Sequence, residues 1–270
     1  MSEISPHAVV ACPANLAEGV TVGPFSYIGP QVRIGANTRI DNNVVIDGDV
    51  ELGPDNRIYP FALIGGDAGS APGAAGCVRI GRGNQIREHV VVCAAPAGGP
   101  PTRIEDHTLL STGAYVGPAS RIDSRVVLGT YSQLAEGTHL EEHVWASAFT
   151  GTDRHVTVGR YSFTSGYAGI DRDAPPYAML QGYPFRIRGV NTHNLKRCGF
   201  DERTIEDLKD VFRDLFNGVE YGVTPGRLDH WAARTDLDEH RRYLVDFLRR
   251  AGYDGLPPRD GGPPADKGAG

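Results

Sequence analysis

The sequence predicts a mainly β chain: a parallel β-helix of hexapeptide repeats over residues 1–176, then a small C-terminal α-helical domain over 177–253 and a disordered tail over 254–270. Three observations predict it: a large aliphatic every six residues, a proline pair that stops the beat, and a switch to helical period after Asp201.

The beat starts at Ile4 and runs Val10, Leu16, Val22, Ile28, Ile34, Ile40, Ile46, Leu52, Ile58 and Ile64 without a miss. An amphipathic helix repeats every 3.6 residues and an ordinary strand every two, so a period of six needs another geometry. A short strand that points one aliphatic inward and then turns a corner supplies it, and stacked coils of this kind build a continuous internal column. Glycine often follows the aliphatic, as at Gly23, Gly29, Gly35, Gly53 and Gly65.

The stretch "GGDAGSAPGAAGCVR" is too rich in glycine and alanine to continue strands, so a loop is expected near 66–79. The beat resumes at Ile80, Ile86 and Val92, pauses at "AAPAGGPPT" for a second loop near 94–102, and resumes from Ile104 through Leu110, Val116, Ile122, Leu128, Leu134 and Leu140. Ala146, Thr152, Val158, Thr164 and Ile170 hold it more weakly. Three hexapeptides per coil give roughly nine coils, a rod about 45 Å long. Pro175 and Pro176 in "DAPPY" end it, because proline cannot donate to a ladder.

From Asp201, a fitting N-cap, Ile205, Leu208, Val211, Phe212, Leu215 and Phe216 form one apolar stripe. A second helix is expected from near Thr235 through Leu237, Leu244, Phe247 and Leu248, with Arg249 and Arg250 in its last turn and Gly252 just past it. The tail "PPRDGGPPADKGAG" has almost nothing apolar to bury.

Composition narrows the function. With 270 residues and 40% hydrophobic content the chain holds one sizeable core and an appendage. A net charge of -6 argues against nucleic acid as a partner, since phosphate recognition rests on a basic face. The N-terminus "MSEISPHAVV" lacks the charged and apolar regions of a signal peptide, and no apolar run reaches membrane-spanning length, so a cytoplasmic protein is expected. Cys12, Cys77, Cys93 and Cys198 show no CxxC or metal-type spacing and read as reduced, small apolar residues; no cofactor and no resident metal are expected.

Five strings, "VGPFSYIGPQVRIG", "DNRIYPFALIG", "NQIREHV", "DAPPYAMLQG" and "GVNTHNLKRCGF", carry a resemblance. In order and in loop position they resemble the acyl-carrier-protein-dependent UDP-N-acetylglucosamine O-acyltransferases that begin lipid A synthesis. The likeness runs from Met1 to about Phe216, and residues 173–200 are its most specific part. It implies a left-handed β-helix and a homotrimer with its site in the groove between neighbouring rods. It also implies transfer of a hydroxyacyl chain from acyl carrier protein to the sugar 3-hydroxyl, with a histidine as general base. A positioned imidazole contributes roughly 10²–10⁴-fold, because a sugar hydroxyl is a poor nucleophile at neutral pH.

Carried over residue by residue, the resemblance places that base at Pro118, within Ala114, Tyr115, Val116, Gly117, Pro118 and Ala119. Proline has neither a titratable group nor an amide proton. Tyr115 stands for a second family histidine, Ala119 for an aspartate, and Cys93 and Gly137 for further histidines. Asp153 and Arg154 replace a His-Gln pair, Tyr183 and Pro184 replace Asn-His, and the first loop lacks the family's acidic and lysine-bearing motif. Substrate-binding positions that match are Gly166, associated with acyl-chain length, and Gln181, Gly182, Asn191, Lys196 and Arg197. The two cations would meet nucleotide phosphates or an acidic carrier protein, although a solvated basic turn before a helix explains either one alone.

Three readings stay open. The chain is a working acyltransferase with a substitute base, for which His155 and Asp153 flank the altered pair; or it is a non-catalytic trimeric homologue that binds a nucleotide sugar or acyl carrier protein. The third is a γ-carbonic-anhydrase-like zinc site, since His139 and His143 have suggestive spacing and His89 and His107 lie one nominal coil apart.

Overall fold

The computed structural model describes residues 3–66, 76–219, 222–224 and 226–253; the expected tail and the middle of the first loop lie outside them. Two compact units, Met1–Cys198 and Gly199–Gly270, divide the chain.

The first unit is the rod. Strands mostly two residues long wind around three sheets of eleven, nine and seven strands among the described residues. The aliphatics of the six-residue beat pair in register from coil to coil. Val22 lies beside Ile40 on the eleven-strand face, Ile28 beside Ile46 on the nine-strand face, and Ile34 beside Leu52 on the seven-strand face. Each pair is eighteen residues apart, which is one coil. Most of these side chains are fully buried, including Ile46, Ile58, Ile64, Val92, Val116 and Leu134. At roughly 1.5–3 kcal/mol for each buried aliphatic, this column is the main stabilising term of the rod.

Two insertions alter the step. Ile64 pairs with Val92, 28 residues on, and Val92 with Val116, 24 residues on. The excursions therefore add ten and six residues. The first is shorter than expected: Cys77–Ile80 is a strand that pairs residue for residue with Asp49–Leu52, because Val78 and Val50 complete the buried column. The second is anchored at its base by buried Ala94 and Ala95: Ala94 N–H donates to the Gly66 carbonyl (2.9 Å) and Gly76 N–H to the Ala95 carbonyl (2.6 Å). Thr102 already belongs to the next strand.

The corners follow one rule. Among the described residues, sixteen non-glycine residues have φ between 52° and 64°, and each sits three positions before an inward side chain. A left-handed residue turns the chain at a cost of roughly 1–2 kcal/mol for anything but glycine, with asparagine and aspartate the mildest. Inside the corners, short polar side chains satisfy the backbone; Ser26 Oγ donates to the Asp41 carbonyl (2.8 Å) and Thr38 Oγ1 to the Gly53 carbonyl (3.0 Å).

The rod continues past the proline pair. Ala178–Gln181 adds to the eleven-strand sheet beside Phe163 and Thr164, and Arg186–Val190 returns antiparallel to it. Asn191 then caps a short helix, α1 (Thr192–Arg197). By contact clustering the first compact unit runs to Cys198, past the proline pair that stops the beat.

In the second unit, α2 (Glu202–Phe216) is capped by Asp201, whose Oδ1 accepts from Thr204 N–H at 2.7 Å. Its buried residues are Ile205, Leu208, Val211, Phe212 and Leu215, the expected stripe, with Phe216 half-buried. Where one further helix is expected there are two: α3 (Arg227–Ala233) and α4 (Glu239–Arg250). Trp231 of α3 donates to Asp214 of α2 (2.8 Å). The last helix starts later than Thr235 because Asp238 caps it, accepting from His240 and Arg241 N–H at 2.8 and 2.9 Å. Among the described residues no helix is long and apolar enough to cross a membrane.

Candidate functional site

Residues 114–119 cross the nine-strand face and turn the next corner. Val116 points inward, so its neighbour Tyr115 points outward. The Tyr115 hydroxyl lies 3.3 Å from Cys93 Sγ, so two of the positions that the resemblance assigns to histidine are bonded to each other. The Cys93 thiol, then burial, push the Tyr115 hydroxyl up to about 12. It is a neutral phenol at any physiological pH. The Pro118 carbonyl accepts from Gly137 N–H (2.9 Å), and Ala119, left-handed at φ 55°, donates its N–H to buried Thr102 Oγ1 (2.9 Å).

His155 and Asp153 are exposed near the edge between the nine- and seven-strand faces, and no hydrogen bond joins them among the described residues. The His155 imidazole lies over Gly137, where an added Cβ would collide with its Nδ1. The glycine and the imidazole one coil later thus exchange volume. The second loop moves His89 and His107 apart: its six extra residues put His89 on one edge, stacked on Phe61 (5.0 Å), and His107 on another, over Gly83. His139 Nε2 meets Asp123 Oδ2 at 2.9 Å. Burial alone would raise the Asp123 carboxyl, but His139 and Arg121 outweigh it and hold the group below its ordinary value. Among the described residues no three His, Cys, Asp or Glu side chains converge as a metal site.

The positions matched by resemblance fall elsewhere, on the eleven-strand face and its margins. Gly166 is exposed, and a Cβ there would meet only the Ala148 carbonyl at 3.5 Å, so the slot beside it is open. Gln181 is exposed and accepts from Arg188 Nε (2.9 Å), while Gly182, at φ 87°, accepts from Gly169 N–H (3.0 Å). Lys196 and Arg197 are exposed at the end of α1, with the Arg197 guanidinium 5.1 Å above the outward-facing Trp145 ring. Asn191 differs, being 4% exposed: its Nδ2 donates to the Tyr161 carbonyl (2.9 Å), and its Oδ1 accepts from Asn194 N–H (3.4 Å).

Sequence reasoning missed the cluster beneath α1. His143 stacks on Tyr161 (4.7 Å), its Nδ1 lies 3.5 Å from Cys198 Sγ, and Asn194 Nδ2 donates to its carbonyl (3.1 Å). His143 is one of the histidines named from its spacing to His139; its corner position, three before an inward residue and one coil before Tyr161, is the signal that would have paired it with Tyr161. Burial lowers the His143 imidazole below its ordinary value, with Arg125 and Arg197 adding to the effect and Glu142 opposing it. Because the folded value lies below the unfolded one, the unfolded chain takes up the proton first. Stability attributable to His143 is therefore complete above about pH 6.5 and declines as pH falls toward the folded value. Thermal melts from pH 7.5 to 5 should show this decline, and a His143→Asn variant, which suits the left-handed corner, should flatten it.

Stacked hexapeptide coils, followed in the chain by a short helical unit, define the class of hexapeptide-repeat proteins; the profile described as "Bacterial transferase hexapeptide (six repeats)" matches residues 13–48 and 31–66. The profile "Udp N-acetylglucosamine O-acyltransferase; Domain 2" matches residues 173–255. The acyl-[acyl-carrier-protein]–UDP-N-acetylglucosamine O-acyltransferase of Paracidovorax citrulli is 38% identical over 258 residues, covering 92% of this chain and 98% of its own. That of Synechocystis is 34% identical over 207 residues, covering 76% and 74%. Among solved structures, the UDP-N-acetylglucosamine acyltransferase of Bacteroides fragilis matches with TM-score 0.86 and 28% identity over 92% of this chain and 97% of that one. The Francisella novicida enzyme gives 0.83 and 28% over 90% of each. The chain belongs to the acyl-[acyl-carrier-protein]–UDP-N-acetylglucosamine O-acyltransferase family.

Proposed function

We propose that this chain keeps the homotrimeric rod and the ligand groove of its family without histidine-based acyl transfer. It acts in the cytoplasm as a non-catalytic homologue that binds a nucleotide sugar or acyl carrier protein. The observation that carries this reading is the internal use of the polar groups at residues 114–119. The Tyr115 hydroxyl is held by Cys93, the Pro118 carbonyl by Gly137 and the Ala119 amide by Thr102. A general base works best with a pKa near the operating pH, and a phenol near 12 is far from it.

The trimer is supported by the placement of the candidate residues. Pro118 and Tyr115 lie on the nine-strand face or its corner, whereas Gln181 and Arg197 lie along the eleven-strand face. One rod cannot bring two faces together; a neighbouring rod can. Arg197, exposed over Trp145, is the cation best placed to meet a phosphate.

A second reading keeps catalysis with His155 as the base, favoured by the imidazole that fills the space over Gly137. Titration calorimetry with UDP-N-acetylglucosamine, and separately with acyl carrier protein, tests the first reading. Binding to at least one is expected, weakened about tenfold or more in Arg197→Ala. No binding to either would contradict it, and acyl-sugar formation lost in His155→Ala would establish the second.

A further inference from the structure

Beneath α1 a thiol and an imidazole face each other. Cys198 closes that helix, its N–H donating to the Asn194 and Leu195 carbonyls at 2.9 and 3.1 Å. Its side chain turns back onto the rod, where Sγ lies 3.5 Å from His143 Nδ1 and 3.8 Å from Asn194 Oδ1. Cys93 is buried against a phenol, whereas Cys198 is half-buried and meets an imidazole. That imidazole is held from two sides: its ring stacks on Tyr161 at 4.7 Å, and the His143 carbonyl accepts from Asn194 Nδ2 at 3.1 Å. Asn194 is buried and donates its own N–H to Asn191 Oδ1.

A nucleophile beside a base that a third group orients is the arrangement covalent catalysis uses. Burial pushes the Cys198 thiol up, with Arg197 and Arg125 opposing and Glu142 adding, while burial lowers the His143 imidazole. At neutral pH the resting pair is therefore a neutral thiol and a neutral imidazole. In the tautomer that carries its proton on Nε2, His143 presents the Nδ1 lone pair to the thiol. A thiol of raised pKa keeps its proton until a base removes it, and the thiolate so formed is the stronger nucleophile. Arg125 and Arg197, whose charges reach both groups, are the cations placed to stabilise a developing oxyanion.

We propose that Cys198 and His143 form an acyl-accepting dyad, which takes an acyl chain from a thioester onto the Cys198 sulfur. The source of that thioester rests on the carrier-protein part of the function proposed above. The substrate is a thioester for two reasons. The carrier protein of that reading delivers its acyl group in this form, and a thiol exchanges with a thioester without any co-reactant. Arg197, the phosphate-meeting cation of that reading, is exposed and immediately precedes Cys198. In the step, the Cys198 S–H bond breaks and its proton passes to His143 Nδ1 while the sulfur adds to the thioester carbonyl. The tetrahedral intermediate then expels the carrier thiolate, which takes the proton back from the imidazolium. One thioester replaces another, so no oxidant or reductant enters. The acceptor is the chain itself and not a sugar hydroxyl, so the step leaves residues 114–119 without a base.

The test is intact-protein mass spectrometry of the full chain incubated with hydroxydecanoyl-acyl carrier protein and, separately, with the N-acetylcysteamine thioester of the same acid, which needs no carrier contact. One acyl adduct is expected, mapped to Cys198, released by neutral hydroxylamine as a thioester is, and absent in Cys198→Ala. His143→Asn, which suits the left-handed corner, should slow acylation at least tenfold, since a positioned base contributes roughly 10²–10⁴-fold. The wild-type rate should be level above about pH 6.5 and fall below it. Attack by a thiolate that ionises unaided would instead rise about tenfold with each pH unit up to the thiol's own value. No adduct from either thioester, an adduct that persists in Cys198→Ala, or a rate unchanged by His143→Asn would overturn the proposal. If His143→Asn does not fold, the wild-type pH profile decides: a level profile supports the dyad and a continuous rise refutes it. The outcomes separate from those of the carrier-protein reading. A Cys198 adduct from the small thioester, with no carrier-protein binding in calorimetry, supports the dyad and sinks only that reading; carrier-protein binding with no adduct from either thioester sinks only the dyad.

Discussion

Val116→Asp is expected to abolish the folded rod. Val116 is fully buried, in register between Val92 one coil earlier and Leu134 one coil later. A carboxylate there finds no cation and no donor among the aliphatics of the column. It either stays charged, at an effective penalty of several kcal/mol, or takes up a proton and still loses the packing of the valine. Against a total stability of roughly 5–15 kcal/mol, that loss leaves little native population. Leu110→Ala, a cavity in the same column, gives a graded companion at about 2–5 kcal/mol. Circular dichroism melts and urea titrations measure both. A Val116→Asp protein that melts with the wild type would mean that the column does not hold the rod together.

Gly65→Ala is expected to cost about 4 kcal/mol or more. Gly65 has φ 86°, sits where the Leu63–Gly66 strand bulges against its neighbour, and is buried. An added Cβ would run into the Asp47 carbonyl oxygen and lie 2.7 Å from Val50 Cγ2. The first contact is with backbone, so it can be relieved only by moving two coils apart. Gly98→Ala is the control: its φ is 77°, but nothing lies within 4 Å of the added atom. That change carries the conformational cost alone, about 1–2 kcal/mol, and the difference between the two variants isolates the clash. Equal losses in urea titrations would show that Gly65 is required only for its φ.

The column was legible because one inward aliphatic per hexapeptide is a constraint that composition cannot imitate. Ile4 to Ile64 announces the coil, and the proline pair at Pro175 marks where the beat stops. The corners were less legible. Phe149, Arg125 and His155 share one backbone conformation but no side-chain chemistry, so no residue type betrays the rule; only the spacing to the next inward residue does. The strand Cys77–Ile80 was hidden inside a glycine-rich run, and α1 and α3, at six and seven residues, are too short for a period to emerge. At the candidate site, the resemblance named positions expected to differ from the family pattern, but gave no sign that Cys93 and Tyr115 touch or that His155 fills the space above Gly137. Those facts depend on residues 18 to 22 positions apart becoming neighbours through the coil and the six-residue loop.

The proposed loss of histidine-based proton transfer at residues 114–119 is tested most directly by a single-turnover experiment. The protein is mixed in excess with an acyl carrier protein thioester and UDP-N-acetylglucosamine at pH 7.5, and acyl-sugar is followed by mass spectrometry. The prediction is product formation no faster than in the enzyme-free mixture. Rapid product formation at a rate that falls with an imidazole-like titration as pH drops through about 6.5 would contradict it, because a working base would then exist in the groove.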